Sequence, residues 1–230
     1  MASHVRSRPR SVEKRLLDTA VEQFSRGGIE STSTRSIAAA AGTTMSSITY
    51  HYGSKEGLYA AAARHMAGQI GEHVSNSLRA SERARDRTGG AEAPSAAILA
   101  LVDRFVQIMV RPESATWARF IAREQMDPTE AFDILYKAVM GRLLDRLSSL
   151  LVEAGGGRCS AAEARLRSLA IFGQALVFRL ARATVLRANQ WDDIGVEEAS
   201  AIRQAVRAQT AAILASIASD AAPRARRAHA

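Results

Sequence analysis

Apolar residues recur along this chain at helical spacing, and no segment shows the period-two alternation of a strand. Val12, Leu16, Ala20 and Phe24, joined by Leu17 and Val21, form one stripe that Gly27-Gly28 ends, and Ser11 stands where an N-cap belongs. Leu58, Ala62, Met66, Ile70, Val74 and Leu78 repeat every fourth residue, which predicts a helix of roughly 25 residues opened by Ser54 and Glu56. Residues 80–95 are charged, then carry Gly89-Gly90 and Pro94, and read as a loop or linker. Beyond it the pattern predicts helices over Ile98 to Val110, Ala115 to Met126, Thr129 to Ala154, Ser160 to about Arg187, and Val196 to Ser219. The fold class is all-α.

The stretch 33–55, STRSIAAAAGTTMSSITYHYGSK, has a different grain. Ser33 is a suitable N-cap for a short alanine-rich helix, Gly42 turns the chain without steric cost, and Met45 to Tyr52 makes about two further turns. Two helices about a tight glycine turn are the helix-turn-helix pattern, whose second helix enters a DNA major groove. At about 100° per residue, Ile48 and Tyr52 share an inward face toward Ile37, Ala38 and Ala41. Ser46, Ser47 and Tyr50 then point outward, with Thr49 and His51 on the flanks and Met45 partly packed. Small hydroxyls, a phenol and an imidazole suit close approach to base edges and phosphates.

Charge changes this picture by its placement. The chain of 230 residues carries a net +8, with nine basic against five acidic residues in 1–64, nineteen against eighteen in 65–220, and three arginines in 221–230. The surplus lies on the segment holding the helix-turn-helix and on both ends, the footprint of a nucleic-acid binder with a neutral second domain. Arg6, Arg8 and Arg10 surround Pro9 in a basic arm that can reach phosphates or a minor groove. The expected division is an arm at 1–10, a DNA-binding domain at 11–56, a helical ligand-binding and dimerisation domain at 57–220, and a basic tail at 221–230.

Apolar residues make up 47% of the chain, enough for a core, while no charge-free run of the length a membrane helix needs is evident and no secretory leader is present. One cysteine, Cys159, excludes an intramolecular disulfide and fits a reducing cytoplasm. No phosphate loop, G-x-S-x-G or H-E-x-x-H motif supports an enzyme. His65 and His73 lack an evident third ligand, so neither a metal nor a cofactor is expected.

From about 12 to 66 the sequence resembles the TetR/AcrR family of bacterial transcriptional regulators. The resemblance is carried by F-x-x-x-G at the end of the first helix and by TRSIAAAAGTTMSSITYHYGSKEGLY. RFIAREQMDPTEAF at 119–132 and FGQALVFRLARATVLR at 172–187 are similar to its CecR-like branch. The resemblance implies a cytoplasmic homodimer with N-terminal DNA-binding heads and C-terminal domains that sense a small molecule, most members being repressors. It places DNA contacts on Thr34, Arg35, Met45, Ser46, Ser47, Thr49, His51 and Lys55. Thr49 departs from the family pattern, in which an aromatic is common, and Tyr50 is the residue that can take over its backbone contact.

Arg35 can donate to a phosphate or bidentately to guanine, and Lys55 shares a helix N-terminus with free N–H groups that can hold one phosphate with it. In the second domain an effector cavity is expected among the helices of 98–187. Its candidate lining is Phe105, Met109, Trp117, Phe120, Phe132, Tyr136, Met140, Phe172 and Phe178. Arg123, Glu124, Gln174 and Arg179 are candidate polar contacts. Helices 160–187 and 196–218 are dense in small and aliphatic residues that allow close pairing with a symmetry mate. The competing functions are a redox sensor through Cys159, beside Arg158, and an architectural DNA-binding protein without a ligand.

Overall fold

The computed structural model describes residues 12–219, all helical or in connecting turns. Ser11, the basic arm and the basic tail lie outside the described residues. The chain divides into two compact units. The first comprises 1–69 with 116–135, and the second comprises 70–115 with 136–230.

In the first unit α1 (Val12–Ser31) packs on α2 (Thr34–Ala41), and α2 on α3 (Met45–Tyr52). The unit also holds the first turns of α4 (Lys55–Thr88), nearly all of α6 (Ser114–Met126), and α7 (Glu130–Leu135). From Leu16 on, the stripe foreseen on α1 is its buried face: Leu16, Ala20, Val21 and Phe24 are buried with Ile37, Ile48, Leu58 and Phe120, while Leu17 is half-buried and Val12, in the first turn, is exposed. Gly28, at φ 72 and ψ −179, breaks α1 before its last three residues. Gly42 turns the chain in the left-handed region, at φ 67 and ψ 40, and its amide donates to the carbonyl of Ala39.

The second unit is built around α5 (Ala93–Val110), which packs on α8 (Gly141–Gly155), α9 (Ala161–Leu180) and α11 (Val196–Ser219), while α10 (Arg182–Asn189) packs on α9. Its largest fully buried side chains include Ile98, Leu101, Leu147, Leu150, Leu151 and Ile171. Truncating any of these to alanine removes transfer energy and leaves a cavity, about 2–5 kcal/mol in sum. Polar ties also span the helices. Arg203 grips Asp103 at 2.8 and 3.3 Å, and the hydroxyls of Ser148 and Ser168 meet at 3.0 Å.

The structure departs from the sequence expectations at several points, each with a physical reason. The stretch 80–88 is no linker but the last turns of α4, because Ala, Glu and Arg favour helix and Ser77, Ser81 and Ala84 continue a buried stripe. Gly89 then stops the helix at φ 63, and Pro94 stands in the first turn of α5. The run 129–154 contains a π-helical turn, Tyr136–Met140, closed at Gly141, where a methyl group would stand 3.1 Å from the Tyr136 carbonyl oxygen. The run 160–187 bends by 77° between α9 and α10. No proline or glycine marks that bend. It falls between two anchored arginines: Arg179 donates to the Met109 and Arg111 carbonyls, and Arg182 pairs with Asp193.

The boundary expected at residue 56 does not coincide with the units, because α6 and α7 supply core residues such as Phe120 and Leu135 to the first. One stretch, Gly90–Val110, is by length and composition apolar enough to cross a membrane, although none was expected. In the second unit its apolar side is core, with Ala97, Ile98, Leu101, Val102 and Val106 buried.

Gly57 marks the tightest approach in the first unit. A Cβ there would lie 2.0 Å from the Tyr52 carbonyl oxygen, so the corner joining α3 to α4 closes only over a glycine. Gly57→Ala should cost about 1–3 kcal/mol by forcing that corner apart. The check is a lower denaturant midpoint at unchanged m value.

Candidate nucleic-acid interface

The helix-turn-helix is held by local chemistry that its sequence dictates. Ser33 occupies the N-cap position of α2 with extended backbone, but its hydroxyl accepts no capping bond. Thr44 caps α3 instead, its Oγ1 accepting from the Ser47 amide at 3.2 Å. The sequence expectations pass over Thr44, although a threonine directly before Met45 is itself an N-cap signal. Ser54 caps α4 as expected, accepting from the Gly57 amide at 3.1 Å.

Ile48 is the inward anchor of α3, 2% exposed, while Tyr52 is half-buried. Burial raises the Tyr52 phenol above its ordinary value, with Glu13 adding to the rise. Around that anchor the other face is open. Met45, Ser46, Thr49, Tyr50 and His51 are exposed, Tyr50 at 85%, and Ser47 is half-buried. Tyr50 and His51 meet edge to face at 5.1 Å between ring centroids, which fixes both at the end of α3.

Arg35 is exposed on the first turn of α2, beside a half-buried Thr34. Lys55 is half-buried at the start of α4, where its ammonium donates to the Glu30 carbonyl at 3.0 Å. The free N–H groups of that helix end hold the Glu56 carboxyl below its usual range, through its own amide first and then Ser54. All nine residues expected to contact DNA therefore lie on α2, α3 or the start of α4 in one unit.

A second polar centre in this unit was not foreseen. Glu124 is 2% exposed; its Oε1 accepts from the Tyr59 hydroxyl at 2.7 Å, and its Oε2 from the amide and hydroxyl of Thr129 at 3.0 and 2.9 Å. Tyr59 stacks on Phe120 at 4.8 Å and meets Phe24 edge-on at 4.9 Å. Burial, reinforced by Glu124, pushes the Tyr59 phenol far up, so it stays a donor at every ordinary pH.

The residues expected to line an effector cavity do not gather in one place. Trp117, Phe120, Arg123 and Phe132 belong to the first unit. Phe120 stacks on Tyr59, Glu124 accepts from its hydroxyl, and Arg123 donates to the carbonyls of Ser25 and Arg26. Phe105, Met109, Tyr136, Met140, Phe172, Gln174, Phe178 and Arg179 belong to the second unit. There Phe105 and Phe172 meet at 4.6 Å, and the Gln174 Oε1 is buried with no hydrogen-bond partner. Arg179 is 8% exposed, with its guanidinium on the carbonyls of Met109 and Arg111 at the C-terminal end of α5, a capping role.

Cys159 is 3% exposed. Burial raises its thiol pKa, Glu163 adds to the rise, and Arg167, the cation that opposes it, is not the Arg158 expected beside it. An activated thiolate needs the opposite environment.

The family pattern described as "Bacterial regulatory proteins, tetR family" matches residues 16–62. That of the "HTH-type transcriptional dual regulator CecR, C-terminal domain" matches residues 94–217. The HTH-type transcriptional dual regulator CecR of Shigella flexneri is 33% identical over 200 residues, spanning 84% of this chain and 87% of that protein. Among solved structures, a TetR-family transcriptional regulator from Streptomyces coelicolor aligns with a TM-score of 0.61 at 16% identity, over 90% of this chain and 95% of that one. FadR from Bacillus subtilis, solved with stearoyl-CoA, aligns with a TM-score of 0.54 at 16% identity, over 90% and 98%. With the helix-turn-helix and the C-terminal helices both matched, the chain belongs to the TetR family of DNA-binding transcriptional regulators, with a C-terminal domain of the CecR type.

Proposed function

We propose that the protein is a cytoplasmic repressor that binds a palindromic operator as a homodimer and releases it when an apolar or amphipathic small molecule enters the second unit. The observation that carries the DNA half is the open face of α3 around the buried Ile48, flanked by Arg35 and Lys55. Arg35 and Lys55 supply charge to phosphates on either side of that face. Ser46, Ser47 and Thr49 offer short hydroxyl contacts to base edges, and Tyr50 and His51 donate to the backbone or pack on a thymine methyl. Met45, 40% exposed at the start of α3, covers apolar base surface.

The dimer half rests on α9. Leu166, Leu169, Val177 and Leu180 are 47–69% exposed, and with the exposed Gly173 they recur at three- and four-residue steps along one face. An apolar seam of that spacing pairs with a second copy of itself about a two-fold axis, and Ala201, Ala205, Ala208 and Ala212 on α11 are exposed and small enough for close approach. A two-fold dimer reads two half-sites in inverted repeat.

The effector half rests on Gln174, whose buried and unanswered amide oxygen lies on α9 near half-exposed apolar groups such as Phe178. A ligand donor there removes the cost of an unsatisfied buried acceptor. The stearoyl-CoA held by FadR from Bacillus subtilis sets the first probe.

Three measurements test these halves. Lys55→Ala should lower affinity for a duplex selected from a random pool and reduce the slope of log affinity against log salt by about one; an unchanged slope removes its phosphate role. Leu169→Glu should convert a dimer to a monomer in light scattering at micromolar concentration; a monomeric wild-type protein overturns the seam. Stearoyl-CoA should weaken binding to the selected duplex, and less so for Gln174→Leu. If long-chain acyl-CoAs and free fatty acids leave binding unchanged up to their solubility, this effector class is discarded.

A further inference from the structure

One side of α6 is committed to α1 at three levels. Thr116 donates to the Glu22 carboxylate at 3.0 Å, Phe120 joins the Tyr59–Phe24 aromatic cluster, and Arg123 reaches the end of α1. These residues stand four and three apart, which places them on one face of the helix. The first two contacts are a half-buried hydrogen bond and packing, but the third falls at a singular point of the backbone. Arg123 donates through Nε to the Ser25 carbonyl at 3.3 Å and through Nη2 to the Arg26 carbonyl at 2.5 Å. These carbonyls lie near the end of a helical run, on the negative side of the helix dipole, because Gly28 breaks the run just beyond them.

That turn leads directly to the DNA-facing groups. Gly28 takes φ 72 and ψ −179, a conformation essentially limited to glycine, and a Cβ there would stand 3.2 Å from the Arg123 guanidinium. Thr32 closes the turn from inside, its hydroxyl donating to the Gly28 carbonyl at 2.7 Å. The Glu30 carbonyl receives the Lys55 ammonium at 3.0 Å, and α2 starts at Thr34. Arg123 is itself exposed, so the fold does not need it to fill the core.

We propose that Arg123 is a positioning residue for DNA recognition, holding the corner at 26–33 in the geometry that aims Thr34 and Arg35 and keeps Glu30 within reach of Lys55. It touches no nucleotide in this role. A planar fork that spans two successive carbonyls fixes orientation as well as distance, which a lysine ammonium does not. The segment 116–135 is then a working part of the DNA-binding head rather than of the sensing domain. This inference rests on the sequence-specific DNA-binding reading.

The test compares Arg123→Gln, Arg123→Lys and the control Arg119→Gln, which removes a charge from an exposed neighbour on the same helix. Each full-length variant is titrated with a duplex selected from a random pool by the wild-type protein, and with a scrambled duplex of equal length, over a range of salt. Arg123→Gln should bind the selected duplex about tenfold more weakly, with the scrambled duplex changed by less than about twofold and the salt slope unchanged. Arg123→Lys should fall between it and wild type, and Arg119→Gln should match wild type. Selected-duplex affinities of both Arg123 variants equal to the control would overturn the proposal. So would a slope reduced by about one, which makes Arg123 a phosphate contact, or a parallel loss on both duplexes with loss of helical circular dichroism in both variants. If wild type selects no duplex at all, the operator reading fails and carries this inference with it; a defect confined to the variants concerns Arg123 alone.

Discussion

A carboxylate removed almost entirely from water must be answered by donors, and in the first unit Glu124 is answered three times. The Tyr59 hydroxyl takes one oxygen, and the amide and hydroxyl of Thr129 take the other. Removing one donor would leave a buried acceptor short, at a cost of about 1–3 kcal/mol, so the three elements that supply these groups are bound to each other's positions. Tyr59 comes from α4, Glu124 from α6, and Thr129 from the turn before α7. The aromatic part of Tyr59 then lies between Phe24 of α1 and Phe120 of α6. One side chain thereby joins the hydrogen-bonded centre to the apolar core of the helix-turn-helix.

This centre explains why the division of the chain was not legible in its sequence. Glu124 and Arg123 look like two charged residues inside an apolar helix, and such residues are most often solvated. Nothing local shows that Glu124 will meet Tyr59, 65 residues earlier. By contrast, signals that act over three or four residues were readable. The stripe from Leu16 to Phe24, the left-handed Gly42, the Ser54 cap and the inward Ile48 are all decided by neighbours in the chain. One local signal did not act as expected: Ser33 stands at the N-cap of α2 without a capping bond, while Thr44 caps the next helix, α3.

The same distinction accounts for the helices of the second unit. At the end of α4 a charged stretch running into Gly89-Gly90 and Pro94 reads as a loop, whereas Ser81 and Ala84 carry the buried stripe through it. The bend between α9 and α10 has no glycine or proline to announce it, and its anchors, Arg179 on α5 and Arg182 on Asp193, are tertiary contacts. The buried and open faces of α3 were legible because a two-turn helix has only one possible buried face. The candidate effector residues carry no such signal, because aromatic residues spaced along several helices look alike whether they fill a core or line a cavity.

The composition of α3 gives the positioning of its flanks its weight. The helix carries no lysine or arginine, only hydroxyl, aromatic, methionine and histidine side chains around Ile48. Serine and threonine hydroxyls end one bond beyond Cβ, so in the proposed interface the helix backbone must lie close to the bases for them to hydrogen-bond. A long flexible cation can follow a displaced phosphate, but a serine hydroxyl cannot, and such a bond weakens steeply as its angle opens. A head that reads DNA with short groups therefore tolerates little rotation about its corners. Three of those corners are closed by glycine, at Gly28, Gly42 and Gly57, and the first is also held from outside by Arg123. In the proposed interface a small shift of α6 would spoil base contacts while leaving the outer cations able to hold phosphates, lowering sequence preference before overall attraction to DNA.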